Sequence, residues 1–307
     1  SYPELPLRQL GDQEADIVSI VKSVTKYAIT VTNALDIKYE LDKAMAIALS
    51  GRPGPVWIDV PLDIQGTMID ENRLKEFDPA ELVDTVNHLL VDRQIEELIE
   101  KIQKAKSPVI YIGNGVRLAN RTDEFICMAE KLRIPVVTAI SGSDIIWHDH
   151  PLCFGKPGIC GDRIGNIMVQ NADLLIILGT RLSIRQIGYA YELLAPKAYK
   201  VMVDIDRAEL QKPTLGINLP IHADLSEFID KLSVRLESST LPDFSGWRQW
   251  GREIESELPS LSDDNPSVLG YVSSYVFADE LFRQLKDGDV VVTGNGTAYT
   301  STYQAMK

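Results

Sequence analysis

Between residues 93 and 237 the chain alternates short, mostly apolar runs with amphipathic stretches, and most of the runs stop at a glycine or an aspartate. Val109–Ile112 ends at Gly113-Asn114-Gly115, Leu174–Leu178 ends at Gly179, and Lys200–Ile205 closes on Asp204 and Asp206. Ile134–Val137 is a fourth such run. Between and around them, Gln94–Lys104, Asp123–Lys131, Ile164–Gln170 and Asp224–Leu236 carry apolar residues at helical spacing. Strands without a polar face must be covered on both sides, so this pattern predicts an α/β fold with a doubly wound parallel sheet. Right-handed crossovers then gather the strand C-terminal ends on one edge, where ligands bind in such folds.

The flanking segments read as incomplete versions of the same design. Residues 1–67 contain apolar Ile17–Val24 and Tyr27–Val31. A helix is predicted over Ile37–Leu49 with Leu41, Ala44, Met45 and Ala48 in line. Gly51-Arg52-Pro53-Gly54-Pro55 stops that helix, and Val56–Pro61 follows as a buried strand. Residues 68–92 are polar and read equally well as a linker or a surface loop. Residues 238–267 form a second linker carrying a short helix, in which Trp247 and Trp250 pin it to a domain. From Val268 a new unit opens with a helix over Tyr275–Leu285, a strand over Val290–Thr293 and the turn Gly294-Asn295-Gly296-Thr297.

Composition excludes several function classes. The 307 residues hold 44 acidic and 31 basic side chains, a formal charge of -13. Phosphate-tracking nucleic-acid binders and proteins held on acidic membranes need a basic face. The longest apolar runs fall far short of a bilayer span. Three cysteines without framework spacing suggest reduced thiols, hence a cytoplasmic setting. No CxxC or HExxH occurs, and His88, His148, His150 and His222 form no ligand cluster, so no metal ligand is assigned. The chain begins Ser1-Tyr2-Pro3 and ends at Lys307 just after a strand–turn pattern, which reads as an excerpt of a longer polypeptide.

Individual motifs leave alternatives open. Glycines in Gly294–Thr297 let a backbone approach an anion at a helix N-terminus, and a plain βα turn explains them as well. Gly113, Gly115, Arg181 and Arg185, with Asp204 and Asp206, suit a nucleotide crevice, or else turns and solvated charges. No GxGxxG stands at the first βα turn, which disfavours a hydride-transferring dinucleotide site. Gln13, in Gly11-Asp12-Gln13-Glu14, offers an amide to a carboxylate or carbonyl, although capping and surface polarity account equally for that stretch.

The ordered set of segments resembles the thiamine diphosphate-dependent enzymes, and within them the acetolactate synthase (acetohydroxyacid synthase) group. The residues concerned are Gly11–Val18, Val24–Tyr27, Gly51–Pro61, Pro108–Gly115, Ile134–Thr138, Gln170–Leu175 and Val203–Leu210. The run Gly51-Arg52-Pro53-Gly54-Pro55-Val56-Trp57-Ile58-Asp59-Val60-Pro61 is the most specific. The resemblance implies a Rossmann-like central domain at 93–237, flanked by the C-terminal part of a pyrimidine-binding domain at 1–67 and the N-terminal part of a diphosphate-binding domain at 268–307. It implies thiamine diphosphate with Mg²⁺, decarboxylation of a pyruvate-like 2-oxo acid, and carboligation with the cofactor as electron sink. Gln13 then matches an active-site glutamine, and Gly296, Thr297 and Ala298 match the turn that reaches the diphosphate.

Gly113, Gly115, Arg181 and Arg185 match positions that contact FAD in that group. Gly158-Ile159-Cys160-Gly161 and Ser183 depart from its usual pattern and leave flavin binding open. The family builds its site between subunits, so a homodimer or homotetramer is expected. The upstream glutamate and the downstream Mg²⁺ motif are not among these residues, so the excerpt alone is expected to be inactive. Other readings are a decarboxylase or acyl-CoA lyase of the same family, a non-redox nucleotide-binding module, and an inactive paralogue with an interaction role.

Overall fold

The computed structural model describes residues 15–82, 86–259 and 270–306, which fall into two compact units, Ser1–Thr85 and Val86–Lys307. In the first unit, β1 (Tyr27–Thr30) and β2 (Val56–Asp59) pair in parallel, Tyr27 opposite Val56, with the Ile37–Leu49 helix as the crossover. Lys26 Nζ donates to the Ser50 carbonyl at the end of that helix, 2.6 Å away. The apolar alignment on the helix divides differently from expectation. Tyr39 and Ala44 are buried, whereas Leu41, Met45 and Leu49 are exposed. Likewise β2 is not covered on both faces, since Trp57 is 41% exposed. A two-stranded sheet is too narrow to cover all sides of the elements packed on it.

The second unit holds the predicted parallel sheet, with β3 (Pro108–Ile112), β4 (Val136–Thr138), β5 (Leu174–Leu178), β6 (Tyr199–Asp204) and β7 (Leu219–His222). Strand order is β4-β3-β5-β6-β7, all parallel. Alternate residues feed two cores. Ile110, Ile112, Ile176 and Val203 pack with the helices His88–Lys104, Thr122–Leu132 and Leu225–Leu236 on one face. Val109, Tyr111, Leu175 and Ile177 pack with Arg163–Gln170 on the other. Every residue of β3 and β5 is buried, which is why these strands carry no polar position.

Several elements depart from expectation. The first helix of this unit begins at His88, inside the stretch read as linker, because the Asn87 side chain caps it by accepting from Leu90 N at 3.1 Å. The edge strand β7 was not foreseen. Its Pro220 is tolerated at a sheet edge, where a missing N–H breaks no inner ladder. Residues 245–257 form a full helix rather than a short one in a linker. Its Trp247 and Trp250 stack at 4.8 Å and pack against the second core, and Trp247 Nε1 donates to the Pro108 carbonyl at 3.0 Å.

The strand expected at Val290–Thr293 does not form. Val290 and Val292 are exposed, and no described strand lies alongside to take up its ladder bonds. The neighbouring helices do form, at Ser274–Gln284 and Thr297–Ala305.

Candidate functional site

The strand order reverses between β3 and β5, and the chain leaves these two strands toward opposite faces of the sheet. That switch point is where α/β sheets open a crevice beyond the strand C-terminal ends. Gly113–Gly115 and Gly179–Arg181 meet there. Gly115 N donates to Gly179 O at 3.0 Å, and Gly113 N to Leu178 O at 3.0 Å. A Cβ on Gly113 would fall 2.5 Å from Gly179 O, and one on Gly115 would fall 2.5 Å from Gly179 Cα. Both glycines are therefore required by backbone-to-backbone packing of the two turns.

Arg181 lies on this edge with its guanidinium engaged, Nε donating to Glu209 Oε1 at 2.6 Å. Glu209 is buried and also pairs with Lys212. Burial pushes its carboxyl upward, but the hydrogen bonds from Lys212 and Arg181 outweigh this and hold it below the ordinary value. Arg185 is exposed. Its carbonyl accepts from Ile159 N at 2.9 Å, and its charge acts on the phenol of Tyr299. Asp204 accepts from Asp206 N at 2.9 Å and Asp206 from Ala208 N at 2.9 Å, so both shape the turn leaving β6.

Gly296, Thr297 and Ala298 are exposed at the start of the Thr297–Ala305 helix. Gly296 has φ +73, and no atom lies within 4 Å of where its Cβ would stand. No side chain caps this helix start and no acidic residue sits in its first turn. Its free N–H groups and the Thr297 hydroxyl suit a phosphate-type anion. The helix is held by its other end, where Gln304 Nε2 donates to Gly161 O at 2.9 Å and Lys156 Nζ to Met306 O at 2.8 Å. Loop 158–161 thus touches both this helix and Arg185. Gln13 lies outside the described residues.

A polar cluster that no sequence pattern announces lies beneath that loop. Asp162 is 8% exposed and accepts from Lys156 N at 2.8 Å and Gly165 N at 2.7 Å. Burial pushes its carboxyl up to about 6 despite these bonds. Lys156 is 6% exposed, and burial lowers its ammonium. The one available signal was a lone lysine within Phe154-Gly155-Lys156-Pro157-Gly158.

Two of the histidines stand in regular elements. His88 begins a helix and pairs with Glu227 at 2.8 Å, and His222 lies in β7 with Nε2 3.0 Å from Ile205 O. The three cysteines are free thiols. Among the described residues no group of three or more His, Cys, Asp or Glu side chains could hold a metal ion, and no helix is long and apolar enough to cross a membrane.

Residues 95–232 match the thiamine pyrophosphate enzyme central domain. The chain is 34% identical to the acetolactate synthase large subunit of Corynebacterium glutamicum over 260 residues, covering 84% of this chain and 41% of that protein. It is 30% identical to the acetolactate synthase isozyme 1 large subunit of Escherichia coli strain K12, covering 98% of this chain and 52% of the relative. A probable acetolactate synthase large subunit of Methanocaldococcus jannaschii is 31% identical, covering 86% and 45%. The chain thus spans about half the length of these relatives, or less.

Proposed function

We propose, since this chain belongs to the thiamine pyrophosphate enzymes and is acetolactate synthase-like, that the intact protein decarboxylates a pyruvate-like 2-oxo acid and joins the remaining fragment to a second carbonyl. The observation that supports this most directly is the uncapped start of the Thr297–Ala305 helix, open to an anion and anchored on the central domain through Gln304 and Lys156. Thiamine diphosphate, when bound, supplies an electron sink for the carbanion left by decarboxylation. The chain's own part is to hold it. The N–H groups at the start of this helix and the Thr297 hydroxyl receive the diphosphate, and Gly296 turns the backbone toward it. The Gln13 amide orients the substrate carboxylate. No residue described here is assigned to Mg²⁺.

Flavin binding is a secondary element of the reading. Arg181 and Arg185, at the switch-point edge, are the residues suited to FAD phosphates. Gly113 and Gly115 serve there by bringing the two turns together. A site shared between two copies, in a dimer or tetramer, would exclude water from the carbanion.

The test is a panel of 2-oxo acids given to the intact protein with saturating thiamine diphosphate and Mg²⁺, following CO₂ release and acetolactate-type products. CO₂ release from pyruvate or a close analogue is the expected result, and silence across the panel overturns the reading. In the same assay Gln13→Ala lowers turnover more than it weakens cofactor binding.

A further inference from the structure

At the C-terminal edge of β4 lies a pocket of about 70 Å³, lined among others by Thr138, Ser143, Trp147, Cys153, Lys156 and Met306. Among the described residues Lys156 is the only buried cation. Its ammonium donates to one neutral acceptor, the Met306 carbonyl, at 2.8 Å, and stands 5.4 Å from the centroid of the Tyr303 ring. No carboxylate of the described residues forms an ion pair with it. The nearby Asp162 acts on the ammonium through its charge, but both its oxygens are turned to the N–H groups of Lys156 and Gly165 and it does not line the pocket. A buried ammonium is stable when an anion faces it. In the same pocket wall Thr138 is 1% exposed, and its Oγ1 has no hydrogen-bond partner.

We propose that this pocket binds a small monocarboxylate, one oxygen on Lys156 Nζ and the other on Thr138 Oγ1. The charge of the wall supports it. Asp144, at the rim, is held by Arg117 at 2.6 Å, and burial pushes the Cys153 thiol up so that it stays protonated. Lys156 is the buried positive charge of this wall, which His148 also lines, and one ammonium matches a single negative charge better than a phosphate dianion. Size agrees. A cavity of about 150 Å³ takes the six heavy atoms of benzene, so a space of about 70 Å³ suits an anion of about three to four heavy atoms, the size of formate or acetate. Its position beyond the end of a parallel strand is where such sheets take ligands. The inference stands apart from the proposed reaction and requires no thiamine diphosphate.

Isothermal titration of the full chain, without thiamine diphosphate and at constant ionic strength, tests it with formate and acetate as probes and chloride as competitor. Saturable binding of at least one probe is expected. Lys156→Met then weakens it about tenfold or more, and Thr138→Val, which keeps the shape and removes the hydroxyl, weakens it several-fold. Melting curves establish that each variant is folded, and Lys156→Gln serves if Lys156→Met is not. The proposal is overturned if neither probe binds, if the Lys156 variant binds as the wild type does, or if chloride displaces the carboxylate at equal concentration.

Discussion

Gly115 and Gly179 lie in backbone contact: the amide of the first donates to the carbonyl of the second over 3.0 Å, and a Cβ on Gly115 would stand 2.5 Å from Gly179 Cα. This closure decides how the glycine pair Gly113/Gly115 acts. Gly113→Ala forces a carbon to within 2.5 Å of Gly179 O and Thr180 Cβ, neither of which can swing away. Overpacking of this kind costs about 1–3 kcal/mol or more. Urea denaturation of the variant is expected to show that loss whether or not flavin is present. A variant as stable as wild type, with only flavin absorbance diminished, would instead make the glycine a ligand contact.

Glu209 ties Arg181 and Lys212 to the end of β6. Glu209→Gln removes the charge from both bonds and is expected to cost about 1.5–3 kcal/mol, the range for hydrogen bonds to charged groups. Because the folded state holds this carboxyl below its ordinary value, its contribution is present above the unfolded pKa of about 4.3 and is lost as pH falls through the folded value. The stability gap between wild type and Glu209→Gln should therefore shrink on acidification, as read by denaturant midpoints across pH 3 to 7.

Asp162 has the opposite sign. Its folded carboxyl is pushed up to about 6 from an unfolded value near 3.8, so the folded state binds the proton more tightly. Stability from this group is full below the unfolded value and declines as pH rises through about 6. A shift of about two units corresponds to roughly 2–3 kcal/mol. Relative to Asp162→Asn, which does not titrate, the wild type should lose stability between about pH 4 and 6. A gap that is flat across that window would rule out the assignment.

Gly296 has φ +73 with open space around it, so Gly296→Ala meets backbone strain and no clash. With ψ -135 this lies outside the left-handed helical region, and the expected cost is about 1–3 kcal/mol, concentrated in the first turn of the Thr297–Ala305 helix. Thiamine diphosphate affinity, measured by fluorescence quenching, should fall while the melting temperature moves by only a few degrees. A larger melting shift with unchanged affinity would detach this turn from the cofactor.

The parallel sheet was legible because Pro108–Ile112 and Leu174–Leu178 must be apolar at every position, and no other common arrangement covers both faces of a strand. Periodicity does not reveal partners, which is why Val290–Thr293 read as a strand although no described strand pairs with it. Similarly Leu41 and Met45 hold helical spacing yet face outward. Leu219–His222 was missed because four residues including a proline carry too little pattern. The turns that hold Gly113, Gly115 and Arg181 meet on one edge of the second unit's sheet. The reason for the glycines, an encounter between turns some 65 residues apart, is written in no local pattern. Lys156 was invisible for the same reason: its burial depends on Met306 and Tyr303, about 150 residues downstream.

The narrow sheet of β1 and β2 has a consequence for handling the protein. Within the described residues each of its two strands keeps one flank without a ladder partner, and the same unit exposes Trp57, Leu41 and Met45. Bare strand flanks next to exposed apolar groups template pairing between copies. Expressed alone, the segment up to residue 82 should precipitate or co-assemble. Soluble preparations will depend on keeping those flanks shielded.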